Sequence, residues 1–505
     1  MTYEFKTKPM EHQYVGLAKC LGAEAYALLL EMGCGKTKIA IDKIGIEFTT
    51  NKINRVLVIA PNGVHHNWVA EELPKHLNLP YTIFEWGCSG GKKYIKEKEA
   101  ILKPSEELHI VTINVEALST EVGKTFCAKF LKSGDTLMII DESSRIKNPS
   151  AMRTKAIITL GKSAKQRLIL TGTPITQSPV DAYAQFKFLD PKILGASTFT
   201  AFKHEYCITR PMKNKFTQRS FDSIVGFKNL DKLKELIAPY SYRVTKEECL
   251  DLPEKIYKKC SFPLSHRQRA VYDSLATTLM AEIDFTNIEK RIVDNINTAY
   301  GSIATKIMDD PKMVTTQIIL TKLLRLQQIC GGFVTADDES EPTAFVDNPK
   351  LDLMMELLED IEGKVIIWAR FKAEIKAIVK ALQNKYGHGS VVQYWGEVAQ
   401  TDRNEAVELF QMRGISTRFF VGNPHSGGIG LTLTAATTMI YYSNDFSLET
   451  RLQSEDRAHR IGQKKNVTYI DLVAENTIDE KVMEALRNKQ SVANLITGDN
   501  VKQWI

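Results

Sequence analysis

Two short stretches carry residue types suited to phosphate chemistry, and the first is GCGKT at 33–37. It follows an apolar run, and its glycines can expose backbone N–H groups at the start of a helix, which makes a cradle for anionic oxygens. In this pattern Lys36 reaches the β- and γ-phosphates of a nucleotide and Thr37 holds Mg²⁺. The match is partial, because the full P-loop spacing has a glycine where this chain has Leu30. The alternative is a glycine turn before an ordinary helix.

Two adjacent carboxylates could complete such a site. The β-rich run TLMII leads directly into Asp141 and Glu142, and open α/β sheets bind ligands at the carboxyl ends of their strands. We predict that Asp141 positions Mg²⁺ and that Glu142 orients and deprotonates an attacking water. The alternative is that the two acids only cap a helix.

The second stretch is QSEDRAHRIGQ at 453–463. Arg457 and Arg460 are three residues apart, so on a helix they would share a face and could aim two guanidinium groups at one anion. The alternative is a solvated helix surface, on which Asp456 and Arg460 could pair at a spacing of four.

The elements that must position these residues form two alternating series. The first contains the β-rich runs AYALLL, RVLVIAP, YTIFEW, LHIVTIN, DTLMIID and QRLILTGTP, and the second contains KVIIWAR, SVVQYW, TRFFVGN, TMIYYSN and VTYIDLVAE. Amphipathic stretches separate the runs, which is typical of parallel sheets with helices on both faces. Between the series, from Pro191 to Pro349, β-rich runs are scarce and TQIILTKLLRLQQI has helical spacing.

The predicted fold class is therefore α/β, with two parallel-sheet lobes and a helical insertion between them. We expect a first lobe over 1–190, the insertion over 191–348, a second lobe over 349–476 and a closing helical segment over 477–505.

Composition excludes several classes of protein. Hydrophobic residues make up 43% of the 505 residues and charged residues 25%, so a disordered chain is excluded. The net charge of +6 is too diffuse to indicate a polyanionic partner. Eight cysteines without a C-x-x-C pair predict neither a disulfide framework nor a structural metal. No run of eighteen apolar residues occurs, so we expect an intracellular, soluble protein with no membrane partner.

Four motifs in order make the pattern specific: EMGCGKT, DESSRIKN, LTGTPI and QSEDRAHRIGQ. They resemble motifs I, II, III and VI of the SWI/SNF-type ATPases of helicase superfamily two. The resemblance covers nearly the whole chain, since PMEHQ is similar to the adenine-reading Q motif and VLVIAPNGVHHNW to motif Ia. FKFLDPKILGASTFTAF and YRVTKEECLDLPEK resemble the helical protrusions of this family. YWGEVAQTDRNEAVELF and GNPHSGGIGLTLTAA resemble second-lobe motifs.

The resemblance implies RecA-like lobes that hydrolyse ATP with Mg²⁺ in the cleft between them, so that closure of the lobes switches hydrolysis on. It implies catalytic roles for Lys36, Glu142, Arg457 and Arg460, the arginines stabilising charge on the γ-phosphate. Metal ligation falls to Thr37 and Asp141. The nucleotide-binding residues it implies are Gln13, Met32, Gly33, Cys34, Gly35, Lys36, Thr37 and Gly430.

The same resemblance implies a grip on duplex DNA, mainly along one strand in the minor groove and without strand separation. Composition does not distinguish DNA from RNA. Loop ends with backbone N–H groups, hydroxyls and histidines suit phosphate contacts without base reading. The candidate contacts are Asn62, His65, Asn67, Thr112, Asn114, Trp395, His425, Ser426 and Gly427. For Trp68 and Trp395 the alternative is an ordinary core position.

The chain departs from the family at several positions. Ser143 and Ser144 stand where alanine and histidine are usual, and His425 and Thr432 replace an arginine and an asparagine. The residues for ATP hydrolysis are retained despite these replacements. The replacements put in question how strongly hydrolysis is coupled to DNA. Cys34 occupies a position usually held by leucine, so we predict that thiol alkylation blocks nucleotide binding and that ATP protects the protein.

The function predicted first is an ATP-dependent translocase on double-stranded DNA that remodels protein–DNA complexes or DNA junctions. One alternative is a helicase that separates, branch-migrates or anneals strands, and another is a nucleotide-gated clamp with little turnover. We expect a monomer that acts on duplex DNA, forks or junctions, with displaced or recruited proteins as further partners. The lack of accessory modules makes a bacterial or viral setting more plausible than a nuclear one.

Overall fold

The computed structural model describes residues 3–62, 64–87, 91–213, 220–282, 311–335, 342–412, 414, 416–425 and 431–497. The chain divides into two compact units. The first unit comprises Met1–Ile208, Gly226–Asp251 and Val492–Asn500, and the second comprises Thr209–Val225, Leu252–Ser491 and Val501–Ile505.

The first unit is built on a seven-stranded sheet. The strands in this part of the chain are β1 (Ala25–Leu30), β2 (Arg55–Ala60), β3 (Tyr81–Glu85), β4 (Leu108–Asn114), β5 (Thr136–Asp141), β6 (Gln166–Leu170), β7 (Cys207–Lys213), β8 (Ser220–Phe227) and β9 (Ser241–Val244). The sheet has the order β3-β4-β2-β5-β6-β1-β9, and every neighbouring pair is parallel. β7 and β8 form a separate two-stranded sheet.

Alternate residues of these strands enter two hydrophobic cores. In β2, Leu57 and Ile59 pack into one core while Val56 and Val58 pack into the other. Both faces are therefore buried, which explains the nearly continuous apolar runs in the sequence. The α-helices of this unit are Glu11–Cys20, Lys36–Thr49, Val64–Asn67, Leu73–His76, Lys92–Ala100, Glu121–Lys132, Met152–Gly161, Asp181–Leu189, Phe199–Tyr206, Leu230–Ile237 and Lys246–Cys249. Shorter turns of 3₁₀ helix span Val115–Ser119, Ser143–Ile146 and Ala238–Tyr240, and a π-helix spans Trp68–Glu72.

The second unit contains a six-stranded parallel sheet with the order β10-β17-β16-β13-β15-β14. The strands of this sheet are β10 (Lys255–Phe262), β13 (Lys364–Trp368), β14 (Val391–Tyr394), β15 (Phe419–Gly422), β16 (Ala436–Tyr441) and β17 (Val467–Ala474). The strands β11 (Phe333–Val334) and β12 (Thr343–Ala344) form a separate antiparallel pair. The helices of this unit are His266–Glu282, Pro311–Cys330, Pro349–Asp360, Lys372–Tyr386, Gln400–Gln411, Leu448–Glu455 and Ile478–Thr497, with a 3₁₀ turn at His388–Ser390. Cores again lie on both faces, as Val365 and Ile366 show by packing into different clusters.

The two predicted parallel sheets are confirmed, but the middle of the chain is not purely helical. The segment predicted as an insertion, 191–348, supplies β9 to the first sheet and β10 to the second. Both are edge strands, and their sequences SYRV and KIYKKCSF carry charges that blunt an exposed sheet edge. Those charges hide the apolar alternation by which strands are recognised. The predicted helix around TQIILTKLLRLQQI does form, as Pro311–Cys330.

In the part of the chain that the structure describes, no helix combines the length and apolar character needed to cross a bilayer.

Candidate functional site

The glycine loop after β1 has the backbone of a phosphate cradle. Gly33 and Gly35 adopt φ of +84° and +80°, a left-handed conformation that side chains disfavour, and Gly35 begins the helix Lys36–Thr49. A Cβ on Gly35 would lie 2.1 Å from Nε2 of Gln13. Position 35 therefore requires glycine, because its φ is positive and a Cβ would clash with Gln13. The N-terminus of the helix points at any anion that the loop binds.

The Lys36 ammonium closes this loop. Its Nζ donates to the carbonyl oxygen of Leu30 at 3.0 Å and to that of Glu31 at 3.4 Å, and the residue is only 8% exposed. The side chain thus folds back across the loop from the first helical turn. A flexible ammonium held by two carbonyls can exchange them for phosphate oxygens, which bind it more strongly.

The predicted Q motif contacts the same loop. The Gln13 amide donates from Nε2 to the Cys34 carbonyl at 3.4 Å and accepts from the Met10 N–H at 2.9 Å, while Nε2 of His12 lies 2.8 Å from the Cys34 carbonyl. Gln13 is buried. This segment therefore stabilises the glycine loop through hydrogen bonds to its backbone. Recognition of adenine by Gln13 stays a prediction.

Asp141 ends β5 and is held by an indole. Its Oδ2 accepts from Nε1 of Trp68 at 2.8 Å, and its Oδ1 accepts from the Glu142 N–H at 2.9 Å. Burial raises the pKa of Asp141, and the hydrogen bond from Trp68 and the charge of Lys36 oppose that rise. Asp141 pairs with Leu170 in the register of β5 with β6, and Leu170 pairs with Leu28 of β1, so this carboxylate lies at the same edge of the sheet as the glycine loop.

Glu142 has a strained backbone. Its φ of 52° and ψ of 58° place a glutamate in the left-handed region, immediately before the 3₁₀ turn Ser143–Ile146. A residue of this type costs about 1 kcal/mol or more in that conformation, and such residues cluster at active sites. The turn redirects the chain directly after the buried strand, so Glu142 does not continue the sheet.

Ser143 connects the acidic motif to the loop after β6. Its hydroxyl donates to Oε1 of Gln185 at 2.6 Å, and Nε2 of Gln185 donates to the Pro174 carbonyl at 2.7 Å. All three groups lie in the first unit. A serine at Ser143 therefore links DESSRIKN to LTGTPI, and neither Gln185 nor this contact was anticipated from the sequence.

The loop after β6 also lies against the glycine loop. A Cβ on Gly172 would lie 3.2 Å from the Met32 nitrogen and 3.3 Å from the Leu30 carbonyl oxygen. Gly172 is therefore where two loops approach closely. Motifs I, II and III consequently form one continuous arrangement at the carboxyl ends of β1, β5 and β6.

Arg457 and Arg460 converge, but not through a helix. The helix Leu448–Glu455 ends before them, so the shared face that they would have on a helix does not form. Instead the chain turns, and Nη1 of Arg457 and of Arg460 both donate to the Leu431 carbonyl, at 3.5 and 3.0 Å. Asp456 lies 3.8 Å from Lys255. The two guanidinium groups thus come together on one oxygen acceptor in the second unit.

Of the residues predicted to contact DNA in the first unit, some have side chains that reach solvent and others are buried. Asn62 and Asn114 follow or end the neighbouring strands β2 and β4, whose register pairs Ala60 with Asn114, and both asparagines reach solvent. Thr112 is fully buried and His65 is 7% exposed. The side chains of these two residues are not available to a phosphate, so their predicted contacts are not supported. Asn67 is half-buried.

In the second unit the predicted contacts also differ in exposure. His425 follows β15, and its ring is 57% exposed, with Nε2 at 2.6 Å from Oδ2 of Asp445. Trp395 follows the neighbouring strand β14 but is 6% exposed and packs into the core, which favours the alternative of an ordinary core position. Ser426, Gly427 and Gly430 lie outside the described residues.

Two protein-family models match this chain over the regions that contain these motifs. The model of the SNF2-related domain matches residues 22–331, which is more than half of the chain, and the model of the helicase conserved C-terminal domain matches residues 349–462. The chain belongs to the SNF2-related family. Motifs I, II and III therefore lie within the SNF2-related match, and nearly all of QSEDRAHRIGQ lies within the C-terminal one.

Individual relatives extend beyond this chain. A Xenopus tropicalis protein named SWI/SNF-related matrix-associated actin-dependent regulator of chromatin subfamily A containing DEAD/H box 1 is 25% identical over 93% of this chain and 48% of its own length. An uncharacterized ATP-dependent helicase of Mycoplasma genitalium is 26% identical over 92% of this chain and 39% of its own. The chain thus spans about half or less of each relative. The solved Sulfolobus solfataricus SWI2/SNF2 ATPase core in complex with dsDNA is 25% identical, with a TM-score of 0.40, over 99% of this chain and 95% of that one.

The structure places Trp68 in a hydrophobic core of the first unit, which was the alternative given for it. What sequence reasoning missed is the hydrogen bond from its indole N–H to Asp141. The available signal was the residue type, because the N–H of a buried tryptophan usually has a partner.

Proposed function

We propose that the chain binds ATP with Mg²⁺ at the glycine loop of the first unit and hydrolyses it. The observation that carries this proposal is that Lys36 closes a left-handed glycine loop after β1 while the buried Asp141 carboxylate ends β5, at the same edge of one parallel sheet. A structural turn has no use for a buried ammonium and a buried carboxylate at the same strand ends. The printed name of the Mycoplasma relative, an ATP-dependent helicase, supports the same nucleotide.

The residues present fit Mg²⁺. The metal prefers oxygen ligands and one or two carboxylates together with substrate phosphates, and the Thr37 hydroxyl and the Asp141 carboxylate are of this kind. When bound, Mg²⁺ neutralises charge on the phosphate oxygens. Trp68 would fix the orientation of the carboxylate by its hydrogen bond to Oδ2.

The remaining steps fall to side chains of this chain. Lys36 would hold phosphate oxygens, and Glu142 would orient the attacking water and take its proton. Arg457 and Arg460 would stabilise negative charge that develops on the γ-phosphate, a role suited to guanidinium groups that already converge on one oxygen. Gln13, Met32, Gly33, Cys34, Gly35 and Gly430 would complete the nucleotide contacts.

We propose double-stranded DNA as the track along which hydrolysis drives the protein. Membership of the SNF2-related family and the chromatin-regulator name of the Xenopus relative support duplex DNA over RNA. Asn62 and His425, which are exposed, and Asn114, which is half-buried, are the candidates for phosphate contacts at strand ends of the two sheets. Side-chain amides and backbone N–H groups at such loop ends suit phosphate contacts that do not read bases.

The wider setting follows from the same proposal. A monomer would displace or recruit proteins on duplex DNA, with forks or junctions as related substrates. A helicase that separates or anneals strands is the second candidate, favoured by the name of the Mycoplasma relative. A clamp without turnover is disfavoured, because it has no use for Lys36, Asp141 and Glu142 together.

Steady-state ATP hydrolysis with a panel of nucleic acids tests this function. The protein is assayed alone and with blunt duplex DNA, single-stranded DNA, a forked junction and duplex RNA. We expect blunt duplex DNA to stimulate hydrolysis most. Stimulation only by forks or single strands would favour the helicase, and ATP binding without hydrolysis in every case would favour the clamp. Lys36→Ala is the matched background, because it removes the ammonium and leaves the glycine turn.

A further inference from the structure

Two cysteines distant in sequence meet at the glycine loop. Cys34 lies between Gly33 and Gly35, and Cys249 ends the short helix Lys246–Cys249. Their sulfur atoms are 3.4 Å apart, although 215 positions separate them along the chain. Cys34 is 1% exposed, whereas Cys249 is partly exposed. The pair therefore has one sulfur at the surface and one inside the loop.

The segment that carries Cys249 is fixed to the loop by other bonds. The Glu31 N–H donates to the Val244 carbonyl at 3.0 Å, and the Glu31 carboxylate accepts from the Lys246 N–H at 3.0 Å. The guanidinium of Arg243 lies 3.4 Å from the same carboxylate. These contacts hold the two sulfurs in register, so their proximity is part of the fold of the first unit rather than a chance approach of two surface chains.

We propose that Cys34 and Cys249 form a reversible disulfide when a peroxide is present, and that this bond prevents the loop from binding nucleotide. The formation of the bond depends only on the thiol geometry. Its effect on nucleotide rests on the proposed function, because it requires that the loop Gly33–Gly35 hold phosphate. Cys249, the more exposed thiol, is the site of first attack, and Cys34 resolves the intermediate.

The chemistry balances with hydrogen peroxide as the oxidant. The Cys249 sulfur attacks one peroxide oxygen, the O–O bond breaks, and the products are a sulfenic acid on Cys249 and one water. The Cys34 sulfur then attacks the sulfenic sulfur, the S–O bond breaks, and the hydroxyl leaves with the Cys34 proton as a second water. Two thiols lose two electrons, and one peroxide gains them. A dithiol reductant reverses the bond by thiol–disulfide exchange.

The resting state of the pair is reduced. Burial raises the pKa of Cys34 and of Cys249 above their ordinary values. Since the thiolate is the reactive form, both thiols react slowly and the loop stays open in a reducing compartment. The pair responds to sustained oxidant rather than to brief exposure.

A disulfide would displace the loop. The sulfur–sulfur bond is about 2.05 Å long, so the two atoms must come about 1.4 Å closer than in the thiol pair. Cys34 lies within the cradle itself, so its movement carries the neighbouring backbone N–H groups with it. A misplacement of about 1 Å at a reacting group can cost about a hundredfold. We therefore expect oxidation to weaken nucleotide binding as well as to stop hydrolysis.

The experiment uses the full chain and two direct readouts. The protein is treated with hydrogen peroxide, remaining thiols are blocked with N-ethylmaleimide, and the disulfide peptides are identified by mass spectrometry. The binding of N-methylanthraniloyl-ADP with Mg²⁺ is measured in parallel by fluorescence, before oxidation, after it and after dithiothreitol. Cys249→Ser is the test variant. Cys260→Ser is its matched control, because Cys260 is also partly exposed but lies in the second unit.

We expect a peptide that joins Cys34 to Cys249, a loss of nucleotide affinity of about tenfold or more, and recovery with dithiothreitol. Cys249→Ser should retain affinity after peroxide, and Cys260→Ser should lose it as the unsubstituted protein does. Absence of the joined peptide, or equal loss of affinity in Cys249→Ser, would overturn the proposal. If reduced protein binds no nucleotide while the joined peptide still forms, the proposed function fails and the thiol chemistry stands.

Discussion

At the scale of single residues, the Asp141 carboxylate depends on the indole of Trp68. Trp68→Phe keeps an aromatic ring in the core and removes only the N–H that donates to Oδ2 at 2.8 Å. We expect the Mg²⁺ concentration needed for half-maximal hydrolysis to rise by about ten- to a hundredfold, the usual effect of losing an outer hydrogen bond to a metal ligand. Mg²⁺ titrations of ATP hydrolysis measure this change.

Trp368→Phe is the matched control for that prediction. Within the described residues, Nε1 of Trp368 is buried and has no hydrogen-bond partner, so phenylalanine removes no bond there. Its Mg²⁺ dependence should remain unchanged. An equal shift in both variants would show that loss of indole packing, and not the bond to Asp141, is responsible.

A second prediction concerns Glu142, whose left-handed backbone sets it apart from the strand. Glu142→Gln keeps the shape of the side chain but cannot accept a proton. We expect nucleotide binding to persist while hydrolysis falls by about 10²- to 10⁴-fold. Binding is measured with the fluorescent ADP analogue and hydrolysis by phosphate release. Near-normal turnover would remove Glu142 from the role of base.

The residues that sequence could predict are those with a fixed spacing from a strand end. Lys36 and Asp141 were predicted to share a site because GKT and DE follow apolar runs directly, and the structure places them after β1 and at the end of β5 in one sheet. Their roles stay predictions. The hydrogen bonds of Trp68 and Gln185 were not predicted, because their partners are 73 and 42 positions away in sequence and only the fold brings them together. The pairing of Cys34 with Cys249 was missed for the same reason.

At the scale of elements, β9 fixes the loops around the site. The Arg243 guanidinium donates from Nη1 to the carbonyls of Leu29 at 2.8 Å and Gly172 at 3.1 Å, and so joins the edge strand to β1 and to the loop after β6. We expect Arg243→Ala to lower the free energy of unfolding of the first unit by about 2–3 kcal/mol, since carbonyls bonded to a charged donor lose their partner. Urea denaturation measures it.

The control for Arg243 is Lys232→Ala, which breaks an exposed ion pair with Glu205 at 2.7 Å. Exposed pairs contribute little. An effect of Lys232→Ala equal to that of Arg243→Ala would mean that the contacts of β9 with the loops are not what stabilises the unit.

In the second unit, the N-terminal turn of one helix contains a buried carboxylate whose protonation affects stability. Glu374 lies in the first turn of the helix Lys372–Tyr386, where its carboxylate accepts from the Phe371 N–H at 3.1 Å and from the Ser443 hydroxyl at 2.5 Å. Burial raises the pKa of Glu374 from 4.5 to about 7, and the charge of Lys350 opposes that rise. Because the folded pKa is the higher one, this group stabilises the fold below pH 4.5 and loses that contribution as pH rises through 7.

We therefore expect the second unit to be less stable at pH 8 than at pH 5.5, by about 2 kcal/mol from this group. Glu374→Gln mimics the protonated acid, so its stability should depend less on pH. Urea denaturation across this range measures the effect. Glu397→Gln, at an exposed glutamate paired with Lys372, should keep the pH dependence of the unsubstituted protein. If Glu374→Gln keeps it too, another group is responsible.

Strand prediction at this scale worked where both faces are buried and failed at the edges. The runs RVLVIAP and TLMII are nearly all apolar after their first residues because those residues enter cores on both faces of the sheet. β10, in contrast, is KIYKKCSF, and its exposed lysines conceal a strand that pairs along its whole length with β17. An edge strand is defined by the neighbour it pairs with, and a local pattern does not contain that neighbour.

At the scale of the whole molecule, we propose that ATP hydrolysis drives movement along DNA. The predicted contacts differ in what they offer: Asn62, Asn114 and His425 reach solvent, while Thr112 and Trp395 are buried. We expect Asn62→Asp with Asn114→Asp to weaken duplex binding, because two carboxylates would repel the phosphate backbone. ATP hydrolysis without DNA should be unchanged, and electrophoretic mobility shifts with blunt duplex measure binding.

The most direct test of the central claim is displacement of a third strand from a blunt-ended triplex. A translocase that moves on duplex DNA without opening it should release the labelled third strand in the presence of ATP, while the underlying duplex stays paired. Glu142→Gln should release none. Separation of the duplex strands, or ATP hydrolysis stimulated by duplex with the third strand still bound, would contradict the account.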